Sequence, residues 1–314
     1  MITVLAGGVG ASRFLQGLVQ VEDPASITVV SNTGDDVEMF GLHVSPDVDI
    51  VIYALAGAVN PETGWGLEGD TLHVVEALQR YGYGDWFKLG DRDLATAIHR
   101  TRLMREGMPM HEIVADIAEA WDIGVTMLPM SNQPVETQVV GPDGIIPFQD
   151  YMVRLRTEVE VRGIEFHGVD IAVPAPGVVE AFAESEMILL APSNPFVSIG
   201  PILALPGLRE AIRRSPAVTA AISPIVAGQV VKGPAARMLE SLGHDISALG
   251  VARLYAGLVD VMVIDEQDRA LVPAIQSLGM ACHVTDTMMT SDERKAELAE
   301  STVDAARRAL TIGG

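Results

Sequence analysis

Two adjacent carboxylates, Asp35 and Asp36, close the stretch Asn32-Thr33-Gly34-Asp35-Asp36, which directly follows a run rich in β-branched residues, Ser26 to Ser31. Paired carboxylates on a loop can hold Mg²⁺ or take a proton from a substrate; an Asx turn with a helix cap accounts for one of them and less well for both. Shortly after, Ser45-Pro46-Asp47-Val48-Asp49 offers two more. Proline at the second position suits a helix start, where Asp47 and Asp49 gain from the helix dipole; the alternative is a second acidic cluster facing the first. Ahead of both, apolar Ile2 to Leu5 breaks into Ala6-Gly7-Gly8-Val9-Gly10 and then turns helical to Leu18. Gly7, Gly8 and Gly10 let the backbone approach a ligand, and the free N–H groups of the following helix suit a phosphate. Arg13 stands where the dinucleotide fingerprint wants a third glycine, and no Gly-Lys-Ser/Thr completes a P-loop, so a tight turn made only for packing is the other reading.

Two further stretches carry candidate binding groups. Lys88-Leu89-Gly90-Asp91-Arg92-Asp93 puts positive charge ahead of a helix reaching about Glu106, and Lys88 and Arg92 suit a phosphate or carboxylate. Pro192-Ser193-Asn194-Pro195, continuing to Pro201, places Ser193 and Asn194 on a proline-stiffened loop after the apolar run Met187 to Ala191; a rigid crossover is the bland alternative. Aromatic residues gather between Asn60 and Gly90, where they stack on a flat heterocycle or pin a loop to the core.

These groups need rigid elements behind them. Strands are predicted at Ile2 to Leu5, Ser26 to Ser31, Met187 to Ala191, Val218 to Ser223, Val261 to Asp265 and Ala281 to Thr285, with helices between and one from Ser291 to the end. Ile50 to Leu55 fits a helix or a strand. The alternation predicts a single Rossmann-like three-layer α/β domain over 1–314 with a mostly parallel sheet. Residues 60–120 read as a mainly helical insertion, and about 124–170 as a β-rich excursion. In that excursion Gly124 to Met130 and Val135 to Val140 form a hairpin across Ser131-Asn132-Gln133-Pro134, and Val159 to Val161 and Ile164 to Phe166 are edge strands. The Pro224 to Pro234 loop carries Lys232.

With 314 residues, 48% of them hydrophobic, and a mean hydropathy of +0.29, the chain can fill a large core. Its net charge of −21 repels nucleic acid and anionic membranes, so neither is an expected partner. An acidic protein that binds phosphates must neutralise them with a few placed cations or a divalent metal. One cysteine, Cys282, excludes an internal disulfide and a cysteine-based zinc site, and the absence of a leader or spanning segment in these 314 residues predicts a cytoplasmic protein.

Taken in order, Ala6-Gly7-Gly8-Val9-Gly10, Asn32-Thr33-Gly34-Asp35-Asp36, Ser45-Pro46-Asp47-Val48-Asp49, Gly64-Trp65-Gly66, Lys88 to Asp93, Ala191-Pro192-Ser193-Asn194-Pro195 and Ser223-Pro224-Ile225 resemble the 2-phospho-L-lactate transferase (CofD) family from end to end. The resemblance implies transfer of a phospholactyl or related phospho-three-carbon-acid unit from a guanosine diphosphate-activated donor to the ribityl hydroxyl of the deazaflavin Fo. GMP is released, in coenzyme F420 biosynthesis, by a Mg²⁺-dependent homodimer. By matching position Asp49 and Lys88 contact the deazaflavin, and the glycine loop, Ser193 and Asn194 line the guanosine diphosphate side; Asn32 is counted with the nucleotide residues. Asp35, Asp36 and Asp49 are the expected metal ligands and catalytic carboxylates. The alternative is the gluconeogenesis-factor-like sister family, which binds nucleotide sugars or dinucleotides in a regulatory way. A dinucleotide oxidoreductase is disfavoured by the missing third glycine and by Asn32 standing where an acidic ribose ligand belongs.

Overall fold

In a computed structural model that describes residues 1–84, 86–230 and 233–313, the chain opens as β1 (Ile2–Ala6), α1 (Gly8–Val21) and β2 (Ile27–Ser31). A small hairpin, β3 (Val37–Met39) and β4 (Leu42–Val44), leads into α2 (Pro46–Leu55), so the apolar run after Pro46 is a helix. The insertion holds α3 (His73–Leu78), α4 (Asp91–Arg105) and α5 (Met110–Ala120), and β5 (Thr126–Pro129) follows. Next come β6 (Glu136–Gly141), β7 (Gly144–Pro147), β8 (Gly163–His167), α6 (Val178–Glu184) and β9 (Met187–Leu190). The last part runs α7 (Gly200–Ala204), α8 (Leu208–Arg214), β10 (Val218–Ile222), the two-residue strands β11 (Ile225–Val226) and β12 (Gln229–Val230), α9 (Ala235–Ser241), α10 (Ala248–Leu254), β13 (Val261–Asp265), α11 (Val272–Gln276), β14 (Ala281–Thr285) and α12 (Asp292–Gly313).

Seven parallel strands form the central sheet in the order β14-β13-β10-β9-β1-β2-β5. Every residue of β1, β2, β9 and β13 is buried, as their unbroken apolar runs require of strands covered on both faces. Val4 and Val29 pack with α1, α2, α5 and α12 on one side, while Leu5 and Val30 pack with α6, α8, α10 and α11 on the other. From β1 the chain builds outward to β2 and β5, and later from β9 in the opposite direction. The order therefore reverses between β1 and β9, which is where open α/β sheets leave a crevice at their carboxyl ends. Among the described residues no helix is long and apolar enough to cross a membrane.

The expected hairpin across Ser131 to Pro134 is not formed. β5 pairs parallel with β2, and β6 is the centre of a separate antiparallel sheet ordered β7-β6-β8. The polar turn residues are committed to other partners: Ser131 Oγ donates to the Val173 carbonyl (2.8 Å), Asn132 Oδ1 accepts from the His111 N–H (2.9 Å), and Gln133 Oε1 accepts from the Val173 N–H (3.1 Å). They hand the chain from one sheet to the next rather than folding it back. Val159 to Val161 is irregular, and only Gly163–His167 joins the edge. Lys232 lies outside the described residues.

Candidate functional site

A cavity of about 750 Å³ opens at the carboxyl ends of β1, β2, β9 and β10. Gly7, Gly8 and Gly10 form its floor, and two of them are sterically obligatory. A Cβ on Gly7 would lie 2.5 Å from Asp47 Oδ2 and 2.9 Å from Ser198 Cβ; one on Gly10 would lie 2.1 Å from the Pro192 carbonyl oxygen. The first loop and the loop after β9 thus meet backbone to backbone, and Ser193 Oγ donates to the Gly7 carbonyl (2.8 Å) to fix the contact. Gly8 begins α1 at φ +73, a conformation glycine adopts without strain.

Among the described residues, two carboxylates face this cavity, Asp35 and Asp47. Asn32, fully buried, sets both: its Nδ2 donates to Asp47 Oδ2 (2.9 Å) and the Val197 carbonyl (3.1 Å), and its Oδ1 accepts from the Gly34 N–H (2.8 Å), shaping the turn that presents Asp35. The β-rich excursion holds the same turn from another side. Thr137 N–H donates to the Gly34 carbonyl (2.7 Å) and Gln149 Nε2 to the Asp35 carbonyl (3.1 Å). Burial, then the Asp47 charge, pushes the Asp35 carboxyl well above its ordinary range; burial, reinforced by Asp36 and opposed by Asn32, pushes Asp47 up to about 7. Among the described residues, Asp35 Oδ1 is buried without a hydrogen-bond partner. Such a pair needs a proton or a cation between its members.

Asp36 and Asp49 lie behind this wall. Ser45 Oγ donates to Asp36 Oδ1 (2.5 Å), and His43 Nε2 lies 2.8 Å from Asp36 Oδ2. Asp49 takes both guanidinium nitrogens of Arg100, with Nη1 at 3.1 Å from Oδ2 and Nη2 on Oδ1, and Arg100 is wholly buried. The reason is helical geometry: on α2, positions 47 and 49 are about 200° apart, so they cannot face one ligand. Asp47 therefore turns to the cavity and Asp49 to α4.

The helical insertion supplies one further wall: Trp65, Trp86, Phe87 and Lys88. It is joined by reciprocal caps. Asp70 accepts from the Arg92 N–H (3.0 Å) at the start of α4, and Asp91 accepts from the Val74 N–H (3.0 Å) and Thr71 Oγ1 (2.6 Å) at the start of α3. A Cβ on Gly90 would sit 2.0 Å from Asp70 Oδ2, so this joint also requires glycine. His73 is a surface partner of Asp91 (3.4 Å).

Of the residues singled out in sequence, the structure brings Gly7, Gly8, Gly10, Asp35, Lys88, Ser193 and Asn194 to the cavity, places Asn32 one layer beneath, and keeps Asp36 and Asp49 off its wall. Asp47 takes the position expected of Asp49; the helix period would have separated the two. Arg13, read only as an interruption of a motif, also lines the cavity, and Arg100 had no sequence signal. Among the described residues no group of three or more His, Cys, Asp or Glu is arranged for a metal ion. Asp35 and Asp47 do fit Mg²⁺, which commonly takes one or two carboxylates together with substrate phosphates.

Sheet order, glycine loop and a ligand-sized crevice at the strand-order reversal define a Rossmann-like α/β protein with its site at the switch point. The fold is shared by a crystal structure of a UPF0052 family protein from Bacillus halodurans, with a TM-score of 0.63 at 17% identity over 96% of this chain and 98% of that one. The profile of the 2-phospho-L-lactate transferase CofD family matches residues 2–305, and the chain belongs to that family and is a transferase. It is similar to the phosphoenolpyruvate transferase of Streptomyces griseus (44% identity, 97% of this chain and 98% of the relative). It is also similar to the 2-phospho-L-lactate transferase of Methanosarcina mazei (39%, 96% and 99%).

Proposed function

We propose that this transferase moves a phospho-three-carbon-acid unit from a guanosine diphosphate-activated donor to the ribityl hydroxyl of Fo, releasing GMP, in coenzyme F420 biosynthesis. The observation that carries the reading is one crevice with a glycine floor, a carboxylate pair at its β2 side and an aromatic, lysine-bearing wall from the insertion. Gly7 to Gly10, Ser193 and Asn194 take the donor; Trp65, Trp86 and Lys88 take the deazaflavin ring, with Asp49 supporting from behind through α2. The hydroxyl oxygen forms a bond to the phosphorus that bears the acid. The bond from that phosphorus to the bridging oxygen breaks, its electron pair leaves on GMP, and the hydroxyl proton passes to Asp47, whose carboxyl burial pushes up to about 7, a value suited to a general base. Asp35 and Asp47 are also the residues that would hold Mg²⁺, which when bound supplies charge neutralisation at the diphosphate.

The relative from Streptomyces griseus, named a phosphoenolpyruvate transferase, is somewhat more similar than that from Methanosarcina mazei, which favours an enolpyruvyl over a lactyl donor. The active form is a homodimer in the cytoplasm, checked by sedimentation at twice the 33.4 kDa chain mass. Titration calorimetry with Fo, alone and with GDP and Mg²⁺, tests the reaction. Saturable Fo binding that tightens in the presence of both supports it, and GDP binding without Fo affinity points to a regulatory nucleotide-binding module instead.

A further inference from the structure

Arg13 is a cation that the fold brings to the cavity. Among the described residues it enters no hydrogen bond or ion pair, in a chain with 42 acidic and 21 basic residues. Its direction follows from α1. Four residues on, Gly17 lets α12 cross at backbone contact, since a Cβ there would lie 2.1 Å from the Lys295 carbonyl oxygen. Residues four apart share a helix face, and side chains lean toward the N-terminus. Arg13 is thus aimed past the start of α12, toward Thr287 to Thr290, which join β14 to α12 and line the same cavity.

This places Arg13 with the β9–β10–β13–β14 half of the sheet, while Lys88 arrives with the insertion together with Trp65 and Trp86. Among the described residues, the cavity cations Arg13 and Lys88 therefore come from different elements. A guanidinium offers a planar fork of donors matched to a phosphate or carboxylate, which an ammonium does not.

We propose that Arg13 is the anion-recognition residue of the donor half of the cavity, binding either a diphosphate oxygen or the carboxylate of the three-carbon acid. The proposal rests on the cavity being the donor site, as set out above. Its position one turn into α1, beyond the Gly7–Gly10 floor, lets the side chain reach the ligand's edge while backbone N–H groups hold the phosphates beneath.

The test compares wild type with Arg13→Gln and Arg13→Lys, using calorimetry with GDP and Mg²⁺, calorimetry with Fo, and steady-state kinetics with the activated donor. Arg13→Gln is expected to keep its Fo affinity, which also reports correct folding. A loss of at least about tenfold in GDP affinity, partly restored in Arg13→Lys, identifies the diphosphate as the bound group. Unchanged GDP affinity with a donor KM raised at least about tenfold identifies the acid carboxylate. If Arg13→Gln holds both quantities within about twofold of a wild type that binds GDP, the proposal is overturned. A wild type that binds neither GDP nor donor overturns the donor-site reading itself, and the role of Arg13 with it.

Discussion

At position 47 a carboxylate is kept where water would ordinarily reward its charge and the protein does not. Burial holds Asp47 at about 7 from an ordinary 3.8, so between those values the native state binds a proton that the unfolded chain has released. The contribution of Asp47 to the stability of the ligand-free protein is therefore expected to fall as pH rises from about 4 to about 7. Asp47→Asn removes this contribution and leaves that of Asp35, whose carboxyl is also raised. Calorimetric melting at pH 8 should show the ligand-free variant stabilised by about 1–3 kcal/mol, with little change at pH 4, while transfer falls by about 100-fold or more. Wild-type melting at pH 8 should rise when GDP and Mg²⁺ are added together, as binding relieves the carboxylate pair. A variant melting at or below wild type at pH 8 would count against the burial cost assigned to Asp47.

Helix α4 works as a strut. Its N-terminus is tied to the α3 joint by Asp70, and its middle is tied to α2 by the buried Arg100–Asp49 pair. Removing one partner of such a pair leaves an uncompensated buried charge, so Arg100→Ala should cost about 3–5 kcal/mol in urea denaturation. Arg100→Ala combined with Asp49→Ala should cost less than Arg100→Ala alone, because no charge is then stranded; a double variant at least as unstable as the single would refute that account. The cap is a smaller matter for stability. Asp70→Ala should cost about 1 kcal/mol, but it loosens the joint that presents Lys88 and Trp86, so Fo affinity should weaken while GDP affinity stays constant. Calorimetry with the two ligands separates these outcomes.

Over the whole molecule the net charge of −21 opposes an anionic donor at long range, whatever Arg13 and Lys88 do nearby. Raising ionic strength from about 0.01 to about 0.15 M shortens the screening length from about 30 to about 8 Å, so the donor KM is expected to fall over that range. A phosphate-binding protein with a basic surface would show the reverse. A donor KM that climbs with salt would mean that the local cations outweigh the global field. The sheet also sets the order of the site: β1 and β9 are far apart in sequence yet adjacent in space, and their loops meet at Gly10 and Pro192.

Local chemistry alone determined much of this protein. Runs such as Met187 to Leu190 and Val261 to Asp265 are too apolar and too short to be anything but covered strands, and Gly7 to Gly10 after Ile2–Ala6 mark a tight strand-to-helix turn, since those preferences act within a few residues. The motif order across the chain carried the family. Tertiary structure decided which residue of each motif faces the ligand. Ser131 to Pro134 has turn chemistry, but its polar groups found partners at His111 and Val173, so the chain changed sheets instead of folding back. Asp47 and Asp49 look equivalent in sequence, and only the packing of α2 between the cavity and Arg100 gave one to the site and the other to the frame. Arg13 and Arg100 carry no local signal at all: a guanidinium's role depends on whether a distant segment offers it a carboxylate, which the fold does for Arg100 and, among the described residues, does not for Arg13.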